Sequence, residues 1–353
     1  MTDRAIPLFS DTDTRPTAGM RAAMAAAAVG DEQRGEDPTV TRLQDRVAEL
    51  VGKEAAMWLP TGTMCNLVAV KTHTRPGDAL VADGMAHVIR AESGGAALAS
   101  GVMVQPIQTE RGIFTAADLE AAMNRVVAVP VPYGQPVGLV CVEQTHNFGG
   151  GAVWTPEELA AVSACARRRG VPLHMDGARL LNACVASGVS AAAFASHVDS
   201  LWLDFTKGLG APIGAVLAGT RDFIAVARRY KQLFGGAMRQ AGIAAAGCLH
   251  ALDHHVDRLA EDHEHARRLA VGLAAIDGIR VRNTTPATNM VFFDAAGLGL
   301  TNREFLDRLR AAGVRMSGAG GGIRAVTHLD VSRGDIDRAL AAVRDVACAR
   351  ERA

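Results

Sequence analysis

"LWLDFTKGLGAP", residues 201–212, is the stretch from which the rest of the chain is best read. Leu201, Trp202, Leu203 and Phe205 make an apolar run of strand length, and Gly208 and Gly210 break it. Lys207 stands where strand gives way to turn, with Thr206 as its adjacent polar neighbour. An ammonium is costly to take out of water, so its place at the tip of a buried strand asks for a chemical reason. The segment "IGAVLAG" (213–219) follows after only a tight connection and is expected to run antiparallel to its predecessor.

Outward from this stretch, strands and helices alternate. "GLVCVEQT" (138–145) and "VPLHMD" (171–176) read as strands, as do "DALVAD" (78–83) and "GVMVQPI" (101–107). Between the first two lies "TPEELAAVSACARRRG" (155–170), with Thr155 as N-cap, Pro156 in the first turn and Glu158 completing a capping box. Arg167 to Arg169 suit the negative end of its dipole, and Gly170 suits the left-handed stop. "TRLQDRVAELVG" (41–52) is a second amphipathic helix. Strands separated by helices predict an α/β fold with a mostly parallel sheet covered on both faces. A long helical pattern over about 236–275 follows, then short strands in "GIRVRN", "TNMVFFD", "GVRMSG" and "GIRAVTH" and a helix over 333–350. The expected division is an N-terminal segment with a large domain, residues 1–252, and a small C-terminal α+β domain, 253–353.

The chain has 353 residues, with 37 basic and 37 acidic side chains, and no basic stripe with interleaved aromatics. Nucleic acid is therefore not an expected partner. The apolar run "AAMAAAAVG" (22–30) is too short to span a bilayer, and "MTDRAIPLFSD" carries no targeting pattern, so a cytoplasmic protein without a membrane partner is expected. Six scattered cysteines without a CxxC read as reduced packing groups rather than disulfides. Cys65 is the best placed of them for chemistry, because it follows a glycine turn.

Ligands of open α/β sheets bind at the carboxyl ends of the strands. Three strand ends carry polar groups: His146 and Asn147, Asp176 and Arg179, and Thr206 and Lys207. Singly, each has a structural explanation as a solvated or turn-forming group. Together they suggest more. A desolvated lysine forms an imine with a carbonyl, and an aspartate one crossover away can pair with a protonated ring nitrogen. Pyridoxal phosphate (PLP) chemistry requires that combination. "LPTGTMCNLVAV" (59–70) offers a phosphate cradle, since Thr61, Gly62 and Thr63 precede an apolar helix. His87 and Glu92 lie in "GMAHVIRAESGGAA" (84–97), where the histidine is either a buried structural group or stacks on a cofactor ring. Metal binding by His250, His254, His255, His263 and His265 is the weaker idea, because acids and arginines around them suggest a solvated helix, and no metal is expected.

The chain resembles the threonine aldolases of the β-eliminating lyase group, PLP enzymes with the aspartate aminotransferase-like fold (fold type I). Eight ordered segments carry the resemblance over nearly the full length: "FSDTDTRPTAGM", "VGDEQRGEDPTV", "GKEAAMWLPTGTMCN", "EQTHN", "HMDGARLLNA", "TKGLGAPIGAVLAG", "FGGAMRQAG" and "VTHLDVSR". The resemblance implies that Lys207 holds PLP, Asp176 bonds the pyridine nitrogen, and Gly62 and Thr63 hold the phosphate with Thr61 and Thr206 nearby. It implies that His87 stacks on the ring and that Arg179 reaches the phenolic oxygen and the substrate carboxylate. Ser10 and Arg324 would bind that carboxylate, and His146 would lie near the substrate β-hydroxyl, as its base or with His87 in that role. The implied activity is cleavage of the Cα–Cβ bond of an L-β-hydroxy-α-amino acid, such as threonine or allo-threonine, to glycine and an aldehyde. β-Elimination or transamination of a related amino acid is the alternative. The resemblance also implies a homo-oligomer, a dimer or a homotetramer, with sites at the dimer interface and Arg239 serving the neighbouring phosphate. Arg34 stands where better-known members carry tyrosine. It either favours a polar β-substituent on the substrate or is a solvated residue paired with Glu32 or Glu36.

Overall fold

The computed structural model describes residues 5–130 and 132–348. Seven strands form the main sheet, in the spatial order Ala55–Leu59, Ala215–Gly219, Ser200–Asp204, Leu173–Gly177, Val137–Glu143, Ala79–Asp83, Met103–Ile107. Ala215–Gly219 is antiparallel to both of its neighbours, as its tight connection dictates, and the other pairings are parallel. Side-chain alternation along Ser200–Asp204 feeds two layers at once. Leu201, Leu203 and the following Phe205 enter the main core with Leu159 and Val162, whereas Trp202 packs on the opposite side with Leu59, Cys65 and Val68.

Local signals set the helix ends. Helix Pro156–Arg168 carries the reciprocal Thr155–Glu158 capping box, and Gly170 beyond its end takes a φ of 66°. Helix Pro38–Val51 is capped by the Asp37 carboxylate and stopped by Gly52 in the left-handed region. The single helical stretch expected over 236–275 is corrected to two helices, Gly242–His254 and Leu259–Ala274. The chain turns between them at His255, whose Nδ1 lies 2.7 Å from the Leu209 carbonyl. That tertiary contact leaves no trace in apolar spacing. Nor are these helices simply solvated, since His255, His263 and His265 are buried.

A second, antiparallel sheet has the order Ser317–Ala319, Gly322–Val326, Met290–Asp294, Arg280–Val281. Its apolar core also takes in residues from the far end of the chain, Ile6 and Leu8. Strand Ile6–Pro7 pairs in parallel with Val314–Arg315. Among the described residues no helix is long and apolar enough to cross a membrane.

Candidate active site

The parallel register sets the site. Glu143 lies opposite Asp176, and Asp176 opposite Trp202, so the carboxyl ends of three adjacent strands present one row of side chains. Asp204 ends the third strand, and the next turn returns Lys207 to it, with Nζ 3.3 Å from Oδ2. Lys207 Nζ also stands 5.6 Å from the Trp202 ring centre. The sequence reading overlooked Asp204, although a lone charge closing an apolar strand was a usable signal. Thr206 is committed to the same carboxylate, to which its hydroxyl donates at 2.8 Å and its N–H at 3.0 Å.

Above this edge opens a cavity of about 310 Å³ whose walls include Ser10, His87, Glu143, Arg179, Lys207 and Arg324. Asp176 is buried beside it, and burial together with the Glu143 charge pushes its pKa up to about 6, against the opposing pull of His87 and Lys207. Its oxygens accept from the Ala178 N–H at 3.1 Å and from Asn66 at 2.8 Å. The backbone N–H of His87 donates to Glu143 at 2.7 Å, and its ring Nδ1 lies 2.8 Å from Glu92. Burial disfavours the charged ring, but the Glu92 hydrogen bond and the Asp176, Glu92 and Glu143 charges outweigh it and raise the His87 pKa.

The two arginines differ in what they still offer. Arg179 is bidentate to the buried Asp11, both contacts at 2.7 Å. Burial would raise the Asp11 pKa, but Arg179 overrides it and holds this carboxyl far below the usual carboxylate range. Two of the Arg179 donors expected to serve a ligand are thus committed to Asp11, a residue the sequence reading did not single out. Arg324 donates to Asn147 Oδ1 at 2.7 Å, and at 3.3 Å to Ser317 Oγ and to the Phe9 carbonyl. Among the described residues no carboxylate lies within ion-pair distance of it. Burial lowers its pKa to about 10, which leaves it cationic at neutral pH.

His146 is not where the sequence placed it. The ring is 1% exposed, with Nε2 3.3 Å from Asp83, and it does not line the cavity. The turn after Val137–Glu143 sends it behind the wall, where a Cβ on Gly112 would come within 2.1 Å of the imidazole. Its neighbour Asn147 takes the cavity side and holds both Glu143 and Arg324.

Thr61 caps helix Gly62–His73 through the Met64 N–H, leaving first-turn N–H groups of Gly62 and Thr63 without intrahelical partners. Glycine is required at 62, because a Cβ there would meet the Trp202 ring at 2.2 Å. That indole therefore joins the helix start to Lys207. Arg34 and Arg239 lie apart from this cavity, exposed, and share Asp31 at 3.8 Å and 2.8 Å. Arg34 also reaches Glu36 at 4.0 Å.

These residues fit PLP. A lysine amine opens on the cavity, a helix start can take a phosphate, and Asp176 sits among the acids Glu143 and Glu92, where a cationic ring N–H would relieve their repulsion. His87, Glu92 and Asp176 also bring three possible metal ligand atoms within 4.8 Å of one another, but Asn66 already donates to both acids.

Fold and site thus define a PLP-dependent enzyme of fold type I. The family model for beta-eliminating lyases matches residues 7–296, and the chain belongs to that family. It is 38% identical over 349 residues to low-specificity L-threonine aldolase 1 of Arabidopsis thaliana, covering 96% of each chain. To the low specificity L-threonine aldolase of Escherichia coli strain K12 it is 40% identical over 331 residues, 93% of this chain and 95% of the relative. The solved threonine aldolase of Leishmania major superposes with a TM-score of 0.82 at 22% identity, over 96% of this chain and 99% of that one.

Proposed function

We propose that this enzyme is an aldolase that cleaves the Cα–Cβ bond of an L-β-hydroxy-α-amino acid of the threonine type, releasing glycine and an aldehyde. The observation that carries the reading is Arg324, a largely desolvated guanidinium without a carboxylate partner, on the same cavity as Lys207. A cation so placed calls for an anion from the ligand, and an amino-acid carboxylate supplies it. Family membership and the threonine aldolase relatives support the bond cleaved.

When bound, PLP supplies an electron sink for the pair left on Cα. The chain's own residues do the rest. Lys207 is the amine that holds the cofactor, Asp176 keeps its ring nitrogen protonated, and Gly62 and Thr63 bind the phosphate, with Thr61 capping their helix and Thr206 fixing Asp204 beside Lys207. Arg324 and Ser10 hold the substrate carboxylate, with the remaining Arg179 donor beside them, and so fix which bond at Cα faces the sink. His87 takes the β-hydroxyl proton on Nε2, the nitrogen not turned to Glu92, directly or through one water. His146 supports that wall through Asp83 and Glu143 instead of meeting the substrate.

We further read the enzyme as a cytoplasmic homo-oligomer, a dimer or homotetramer, in which Arg239 and Arg34 serve a neighbouring site. Their separation from their own chain's cavity supports this. The division into a large domain and a small C-terminal one is supported by the separate apolar core of the second sheet, which Ile6 and Leu8 join. Incubating the PLP-loaded protein with threonine, allo-threonine and phenylserine tests the reading. Glycine and the matching aldehyde in equal amounts are expected. Pyruvate with ammonia, or a keto acid alone, would reassign the enzyme to β-elimination or transamination.

A further inference from the structure

Behind Asp176, away from the cavity, lies a chain of side chains that the proposed reaction does not use. Its centre is Asn66, which is 1% exposed on helix Gly62–His73. Asn66 Nδ2 donates to Asp176 Oδ2 at 2.8 Å and to Glu92 Oε1 at 2.7 Å. Its Oδ1 accepts from Trp202 Nε1 at 2.7 Å and faces His174 Nε2 at 3.3 Å. On the far side, His174 Nδ1 lies 2.8 Å from Ser200 Oγ, which lies 2.7 Å from His73 Nε2.

The protons in this chain can be assigned by elimination. An indole nitrogen only donates and ionised carboxylates only accept, so the Asn66 amide has one allowed orientation. Its oxygen then faces His174 Nε2, which must carry a proton to make that contact. Burial pushes the His174 pKa down to about 3, and its ring is neutral, so Nδ1 is bare and accepts from the Ser200 hydroxyl. Ser200 has spent its one proton, and its oxygen accepts from His73 Nε2–H. His73 is also neutral, its pKa pushed down to about 4 by burial. Every hydrogen bond therefore points one way, from His73 towards the acids.

We propose that Asn66 is a positioning residue, locked by a one-way donor chain from His73 through Ser200 and His174, and that it holds Asp176 and the Glu92–His87 pair as a single unit. Both amide hydrogens are used, one on each carboxylate. The acid that meets the cofactor's ring nitrogen and the acid that orients His87 thus share one rigid reference. A hydrogen-bonded outer partner of this kind sets the direction and basicity of the group it holds. The inference rests on the PLP reading but not on which bond is cleaved.

Two measurements on PLP-loaded protein test it. In histidine-labelled holoenzyme, long-range proton–nitrogen NMR is expected to find His73 and His174 both as neutral Nε2–H tautomers, assigned with His73→Asn and His174→Asn. An Nδ1–H tautomer on either ring overturns the chain. Asn66→Ser is expected to alter the visible absorption of the bound cofactor and to lower kcat about 10–100-fold, with KM within about threefold. The spectrum needs no substrate, so it remains decisive even if the aldolase reading fails. If Asn66→Ser does not load the cofactor, Ser200→Ala decides, since it removes one hydroxyl and touches neither Asp176 nor the cavity. It is expected to move the spectrum in the same direction and to lower kcat about 3–10-fold. An unchanged spectrum and kcat, or an effect on KM alone, overturns the proposal.

Discussion

Two lysines in this protein are built from the same three parts. Lys207 lies 3.3 Å from Asp204 and 5.6 Å from the Trp202 ring, and Lys231 lies 2.6 Å from Glu32 and 5.4 Å from the Trp58 ring. Their surroundings separate them. The Lys231 side chain is 2% exposed, and the other Glu32 oxygen accepts from the Met238 N–H. The pair meets a cavity of about 240 Å³, but among the described residues its walls hold Arg228 and Arg229 and neither a second acid nor a histidine. Burial lowers the Lys231 pKa against the opposing pull of Glu32. The Lys207 side chain is 17% exposed and opens on a cavity that also holds His87, Glu143 and Arg324. A lysine, an acid and an indole therefore do not define a reactive site. The groups that line the cavity with the lysine do.

Substitutions can break this contrast. Lys207→Ala is expected to abolish cofactor absorbance and to cut turnover on the order of 10⁴-fold or more, with the far-ultraviolet spectrum unchanged. A yellow, active variant would move the cofactor elsewhere. Lys231→Ala should do the reverse. It leaves Glu32 buried and unpaired and should cost about 3–5 kcal/mol in denaturant unfolding, while the folded fraction keeps its kcat. Arg324→Ala should lower kcat/KM for the amino acid about 10²–10³-fold with the cofactor still bound, measured by steady-state kinetics. The smallest effect is expected from Glu92→Gln. Glu92 stabilises the protonated His87 ring, so its loss lowers that pKa. A step that needs the neutral ring would then begin at lower pH, and the acid limb of the kcat/KM profile should move towards acid. A shift towards alkali would take the proton-accepting role from His87.

The contrast also marks what a linear reading can reach. Lys207, Asp176 and the Thr61–Thr63 turn were legible because each stands at the end of an element whose pattern is local. The antiparallel strand after Lys207 was legible from the shortness of its connection. Asp11 was not, because its meaning depends on Arg179, 168 residues away. Asn66 reads as one polar residue of an apolar helix until the sheet brings Trp202 and His174 to it. His146 was misplaced because the turn after a strand decides which side of the wall a side chain takes. The helix break at His255 depends on a carbonyl 46 residues back. In each case the deciding partner is supplied by tertiary register, which periodicity does not encode.

The pairing of Ile6–Pro7 with Val314–Arg315 sets an order of events during synthesis. The segment that carries Ser10 and Asp11 leaves the ribosome well before its partner strand, which emerges some three hundred residues later. At about 5–20 residues per second, that wait lasts on the order of tens of seconds. Until it ends, Arg179 lacks a docked Asp11 and Arg324 has not been made. A nascent chain can assemble much of the main sheet in that interval, but the cavity wall formed by Ser10, Arg179 and Arg324 closes only once the C-terminal strands have emerged.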